Sequence, residues 1–207
     1  MAFPPPRLAA LAEQVVALLK ERKVPSPSPP VPVPRLLTPT SPPHLPQETL
    51  SLVETATGGL IGATILSIPG TSAVFAGGVQ AYQLRAREEL LGWSKDEQGV
   101  YDGPTESIVS SLASLCRARL ASTYALAESG VAGPGRPDVY RAEIDGPGYC
   151  PLAVVGEGLP QEGVRRTVRV EQADGVGRAE NMVSFAEKAL ELLLDVLEAK
   201  QAGGAWK

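Results

Sequence analysis

The apolar residues of this chain recur with two different periods. Over residues 7–22, Leu8, Leu11, Val15, Leu18 and Leu19 return at helical spacing, while Glu13, Gln14 and Lys20 fall off that face. The spacing predicts an amphipathic helix, too short to be stable alone and therefore docked on a domain. A stronger helical stripe runs over 178–200, through Met182, Phe185, Ala186, Ala189, Leu190, Leu193 and Leu197. Between them lie short apolar runs bounded by glycine, proline and hydroxyl residues. Residues 49–55, 76–83, 123–129, 151–157 and 164–170 read as strands. Helices are predicted from about Gly59 to Ser67, stopped by Pro69-Gly70, then through Leu91, and from near Pro104 with Ile108, Leu112, Leu115 and Cys116 on one face. Strands separated by helices predict an α/β fold, a three-layer α/β/α sandwich around a mixed, mostly parallel sheet of about five strands.

One stretch has no period. Residues 25–46 carry ten prolines in 22 positions. Proline fixes φ and removes the backbone donor, so neither helix nor central strand is possible there. The expectation is an extended, polyproline-like connector. Its PxxP spacings also suit a proline-recognition partner, although most proline-rich linkers contain them.

Composition narrows the chemistry. Hydrophobic residues make up 43% of the 207 positions and charged residues 20%, enough for a packed core. A net charge of -4, a pI near 5.2 and the lack of a basic block argue against nucleic acid or an anionic membrane as partner. No apolar run approaches the roughly 20 residues of a bilayer span. The opening "MAFPPPRLAAL" lacks the layout of a secretory signal. Cys116 and Cys150 are too few for a disulfide framework, so a cytoplasmic setting is expected. The single histidine, His44, lies inside the proline-rich run. Histidine-based triads and most zinc sites are thereby excluded, and neither metal nor cofactor is expected. Chemistry must run on hydroxyls, carboxylates, arginines, lysines, tyrosines and backbone.

Two loops at strand ends are candidates for it. The first strand closes at Glu54-Thr55, and a helix starts at Thr57-Gly58-Gly59. Glycine amides at a helix start can face an anion, although Thr and Gly there are also ordinary capping residues. The second loop, "SGVAGPG", holds Ser129, Gly130 and Gly133 directly after the third strand. It is a turn in any reading, and its amides could face a phosphate. Ligands of such sheets favour loops outside the carboxyl ends of strands, so the two loops could border one crevice.

These residues resemble a known family. "VETATGG" (53–59), "PGTSAVFAGGVQAY" (69–82) and "SGVAGP" (129–134) are similar in order and spacing to motifs of the CinA C-terminal domain family. The family patterns are "AES-x-TGG", "PGAS-x-x-F-x-G-G-V-x-x-Y" and "[ST]-G-[IV]-AGP". The likeness covers about 50–200 plus the first helix. It implies a single domain over 1–207, with a core at 48–200 and a flexible tail at 201–207. Residues 25–47 then read as a disordered insertion between the first helix and the first strand. It also implies a homo-oligomer and a small nucleotide-like ligand.

Members include deamidases of nicotinamide mononucleotide, which hydrolyse a carboxamide to a carboxylate and ammonia. The mechanism that the resemblance implies uses the serine of "AES" as nucleophile and a lysine as its base. Here the nucleophile position is Thr55 and the lysine position is Arg87, which is not a plausible general base. Arg87 reads either as a solvated helix residue or as an anion clamp. The carried-over set is Glu54, Thr55, Tyr82 and Arg87 for catalysis. For substrate and phosphate it is Thr57, Gly58, Gly59, Ser129, Gly130, Gly133 and Arg178. The implied function is an amidohydrolase of a nucleotide-like carboxamide, with a catalytically degenerate nucleotide- or protein-binding member as the alternative. Trp93, Tyr101, Tyr140 and Tyr149 are loop aromatics available to stack on a ring.

Overall fold

The computed structural model describes residues 3–22, 47–94, 101, 103–134, 146–170 and 177–203. The proline-rich run and the tail from 204 lie outside the described residues. Helix α1 (Pro6–Glu21) precedes β1 (Leu50–Glu54), α2 (Leu60–Leu66), a 3-10 turn (Thr71–Ala73) and β2 (Phe75–Gln80). Then come α3 (Leu84–Leu91), α4 (Glu106–Leu120), β3 (Tyr124–Glu128), β4 (Tyr149–Gly156), β5 (Val164–Arg169) and α5 (Arg178–Gln201).

The strands form one sheet in the order β2-β1-β3-β4-β5. Strand β1 pairs in parallel with β2 and β3, whereas β4 is antiparallel to both β3 and β5. Four strands therefore point one way and β4 alone opposes them. The central strands β1 and β3 are buried throughout, while the edge strands β2 and β5 alternate between half-buried and exposed positions.

Side-chain alternation along the strands builds two cores. On one face Leu50, Leu52, Tyr124, Leu126, Leu152 and Val154 meet α1, α2 and α5. On the other, Val53, Ala125, Ala127, Ala153 and Val155 meet α3 and α4. Large residues on the first face and small ones on the second let α4 lie close to the sheet. Each fully buried leucine or valine contributes about 1.5–3 kcal/mol, so both layers are firmly anchored. Helix α4 is capped by Thr105, whose side chain accepts from Ile108 N at 3.3 Å.

The connections decide where a site can lie. From β1 the chain crosses the first face through α2 to reach β2; from β2 it crosses the second face through α3 and α4 to reach β3. The neighbours β1 and β3 thus open a crevice at their carboxyl ends, the switch point at which open α/β sheets bind ligands. The opposite end of the sheet carries a polar cluster beside a second cavity of about 280 Å³, lined by Glu21, Arg22, Glu48, Lys200 and Gln201. There Glu48 accepts from Arg22 Nη1 at 3.4 Å, Tyr124 Oη at 3.3 Å and Lys200 Nζ at 3.3 Å. Among the described residues no helix is long and apolar enough to cross a membrane.

Candidate functional site

Two buried carboxylates hold the turn that follows β1. Glu54 Oε2 accepts from the Gly59 and Ile61 amides, both at 3.0 Å, and Oε1 accepts from the Gly62 amide at 2.8 Å. The anion favoured by the start of α2 is thus the chain's own Glu54. The sequence reading offered this helix start to a phosphate; in the structure Glu54 already occupies these amides. Gly58 and Gly59 serve the turn itself, with φ of +64° and +99°. A Cβ on Gly59 would lie 2.2 Å from Gln80 Nε2.

The second carboxylate, Glu128, closes β3 and is fully buried. Its Oε1 accepts from Thr55 N at 2.6 Å and Thr57 N at 2.9 Å. Thr57 Oγ1 lies 2.7 Å from both Glu54 Oε2 and Glu128 Oε1. A hydroxyl has one proton, so both contacts are hydrogen bonds only when one carboxyl supplies a second. Burial pushes the Glu128 carboxyl above the usual range and the nearby charge of Glu54 adds to this, against the opposing pull of the Thr57 and Thr55 donors. Of the two carboxyls, Glu128 is the one that burial raises. Cys150 Sγ lies 3.8 Å from Glu128 Oε2, and burial drives its thiol well upward, away from the thiolate.

In front of this turn lies a cavity of about 300 Å³ at the carboxyl ends of β1 and β3. Thr55, Tyr82, Arg87, Tyr101, Ser129 and Gly130 line it. Five chosen sequence positions, Thr55, Tyr82, Arg87, Ser129 and Gly130, thus line one space. Glu54, Thr57, Gly58, Gly59, Gly133 and Arg178 are not in its lining. The Thr55 side chain makes no hydrogen bond to another described residue. Arg87 is 3% exposed, which removes the reading of a solvated helix residue. Its Nε donates to Ala81 O and its Nη2 to Ser129 Oγ, both at 3.2 Å, and Tyr101 lies with its ring centre 5.5 Å from the guanidinium carbon. Nη1 is buried without a partner.

The wall opposite is tied to α5. A Cβ on Gly130 would stand 2.7 Å from Phe185 and 2.9 Å from Cys150 Sγ, so close packing is what requires glycine there. Arg178 Nη1 donates to Gly133 O at 2.6 Å and Nη2 to Tyr82 Oη at 3.2 Å, strapping the rim together. Buried Asn181 donates to Ala132 O at 2.9 Å. Glu128 and Asn181 were missed from sequence; the available signals were a carboxylate ending an apolar strand and an amide on an apolar helix face. Of the loop aromatics, Tyr101 lines the cavity, Trp93 is buried edge-on to it at 6.4 Å, Tyr149 opens β4 and Tyr140 is outside the described residues.

The profile of the CinA C-terminal domain matches residues 45–197. The chain belongs to this family. A CinA-like protein of Chlorobium luteolum is 33% identical over 155 residues, 75% of this chain and 35% of that protein. Another from Parasynechococcus marenigrum is 40% identical over 88 residues, 42% of this chain and 21% of that protein. The chain thus spans about a fifth to a third of the curated relatives it matches. Among solved structures, competence/damage inducible protein CihA from Agrobacterium tumefaciens has a TM-score of 0.70 at 22% identity, over 96% of this chain and 99% of that one. A CinA superfamily protein from Klebsiella pneumoniae gives 0.70 at 17%, over 92% and 98%. These structural likenesses support the fold. In this CinA C-terminal domain the motif residues and the cavity occupy the same end of the sheet.

Proposed function

We propose that this CinA C-terminal domain is an amidohydrolase acting on the carboxamide of a nucleotide-like molecule held in the cavity. The observation that carries the reading is the convergence of Thr55, Tyr82, Arg87 and Ser129, from separate segments, on one cavity at the switch point. Thr55 supplies the reacting hydroxyl, as nucleophile or as the group that orients water. Tyr82, held by Arg178, positions the ligand at the rim, and Ser129 and Gly130 form the facing wall. Glu54 and Glu128 act behind the cavity by fixing the turn on which Thr55 stands. Ammonia release from nicotinamide mononucleotide tests this. Wild type should release ammonia, and Thr55→Ala should be slower by about 100-fold or more, the scale of losing a reacting group. Well-folded wild type that releases none would sink the hydrolase reading.

A second reading, binding without turnover, is favoured by the same Arg87. The group beside Ser129 is a cation that cannot take the Thr55 proton. Calorimetry with the same nucleotide, in the absence of ammonia release, separates the two.

A further inference from the structure

Arg87 is buried, and its partners among the described residues are neutral. Its partners are the Ala81 carbonyl, the Ser129 hydroxyl and the Tyr101 ring. Among the described residues no carboxylate pairs with it, and Nη1 is left without an acceptor. A buried cation with an unmet donor is unfavourable unless an anion completes it. Ser129 accepts from Nη2, which leaves its own hydroxyl proton for a further oxygen. Both residues line the same cavity.

We propose that the cavity is a receptor for a carboxylate monoanion on a ring or other largely apolar scaffold, with one oxygen on Arg87 Nη1 and the other on the Ser129 hydroxyl. The proposal rests on the cavity being the ligand site, as in the preceding reading, and not on hydrolysis. Charge balance selects a carboxylate over a phosphate. One guanidinium offsets one negative charge, whereas a phosphate monoester brings about -1.5 to -2. The planar fork of arginine also matches a carboxylate. Leu84, Tyr101, Pro104 and Val131 supply the apolar wall. Nη1 is closed to water, so a ligand oxygen reaches it only by shifting a covering side chain. Tyr101 lines the cavity with its ring centre 5.5 Å from the guanidinium carbon, and its edge contact with Trp93 turns any shift of its ring into a fluorescence signal. Hydrolysis of a carboxamide yields a carboxylate, so the site favours the product's charge over the substrate's.

Calorimetry on the full chain with nicotinate mononucleotide, nicotinamide mononucleotide and inorganic phosphate tests the proposal. The carboxylate nucleotide should bind about tenfold more tightly than the carboxamide, as one charged hydrogen bond allows. Arg87→Gln should bring the pair to within about twofold, and Ser129→Ala should weaken the carboxylate several-fold. With Trp206→Phe removing the second tryptophan, carboxylate binding should change Trp93 emission. Equal or tighter binding of the carboxamide by wild type overturns the proposal, as does failure of both nucleotides to bind or phosphate binding as tightly as the carboxylate. If Arg87→Gln does not fold, the wild-type ligand pair and Ser129→Ala still decide. Ammonia release without carboxylate preference leaves the hydrolase reading standing and this proposal lost; preference without ammonia release does the reverse.

Discussion

Thr57 touches two carboxyl oxygens with a single hydroxyl proton, and burial raises the Glu128 carboxyl above its ordinary value. That has a pH signature. With its folded value raised above the unfolded one, Glu128 binds a proton in the fold that the unfolded chain has already released. Stability is then highest below the unfolded value and falls as pH rises through the folded one. Glu128→Gln keeps a neutral group that can accept the same bonds, so it should match wild type in acid and melt progressively higher than wild type as pH rises. Glu128→Ala orphans Thr55 N and Thr57 N, at about 1–3 kcal/mol for each buried group left unpaired, while the Thr57 hydroxyl keeps Glu54 Oε2. Thermal melts of the three proteins across pH 4–8 check both. Thr55, Tyr82, Arg87 and Ser129 were legible because motif order carried them. Glu128 was not, because its partners lie 71 and 73 residues away and only the parallel pairing of β1 with β3 brings them together.

Among elements, α5 is the wall against which the 129–134 loop is set. Gly130→Ala forces a Cβ into Phe185 and Cys150 and should cost about 1–3 kcal/mol of stability, the scale of overpacking. It should also weaken ligand binding, because Gly130 adjoins Ser129 in the cavity; chemical denaturation and calorimetry measure the two losses. The helices at both ends were legible from their apolar period, since burial on one face imposes that period. The reversal of β4 is written less directly. A parallel return needs a crossover, usually a helix, and the sequence predicts no helix between its third and fourth strands. In the structure β4 pairs antiparallel with both β3 and β5. The amides at the start of α2 were misjudged for a different reason. The capping carboxylate, Glu54, sits before the turn rather than at the N-cap, so the helix start read as open to a ligand.

At the scale of the whole molecule the sheet has two unlike ends. The carboxyl end of β1 and β3 bears the cavity. The amino end is tied by a polar cluster of Arg22, Glu48, Tyr124 and Lys200, where the Glu48 amide also donates to Arg22 O at 3.3 Å. The proline-rich run joins the fold at this second end. Replacing residues 25–45 by a link of a few glycines and serines shortens that connection roughly fourfold, worth about 1 kcal/mol of closure entropy. The shortened protein should melt at or slightly above the wild-type temperature and keep its ligand affinity. A collapse of either would mean that the run packs on the fold.

The hydrogen bond between Glu48 and Arg22 gives the molecule a natural grip. Two chain positions 26 apart in sequence meet there, on the side of the sheet that faces away from the cavity. A dye, an affinity tag or an entire guest domain spliced between them would be carried at the back of the protein. Immobilised through such a splice, the protein would present its cavity outward, so that ligands could be exchanged over it while the anchor stayed out of reach.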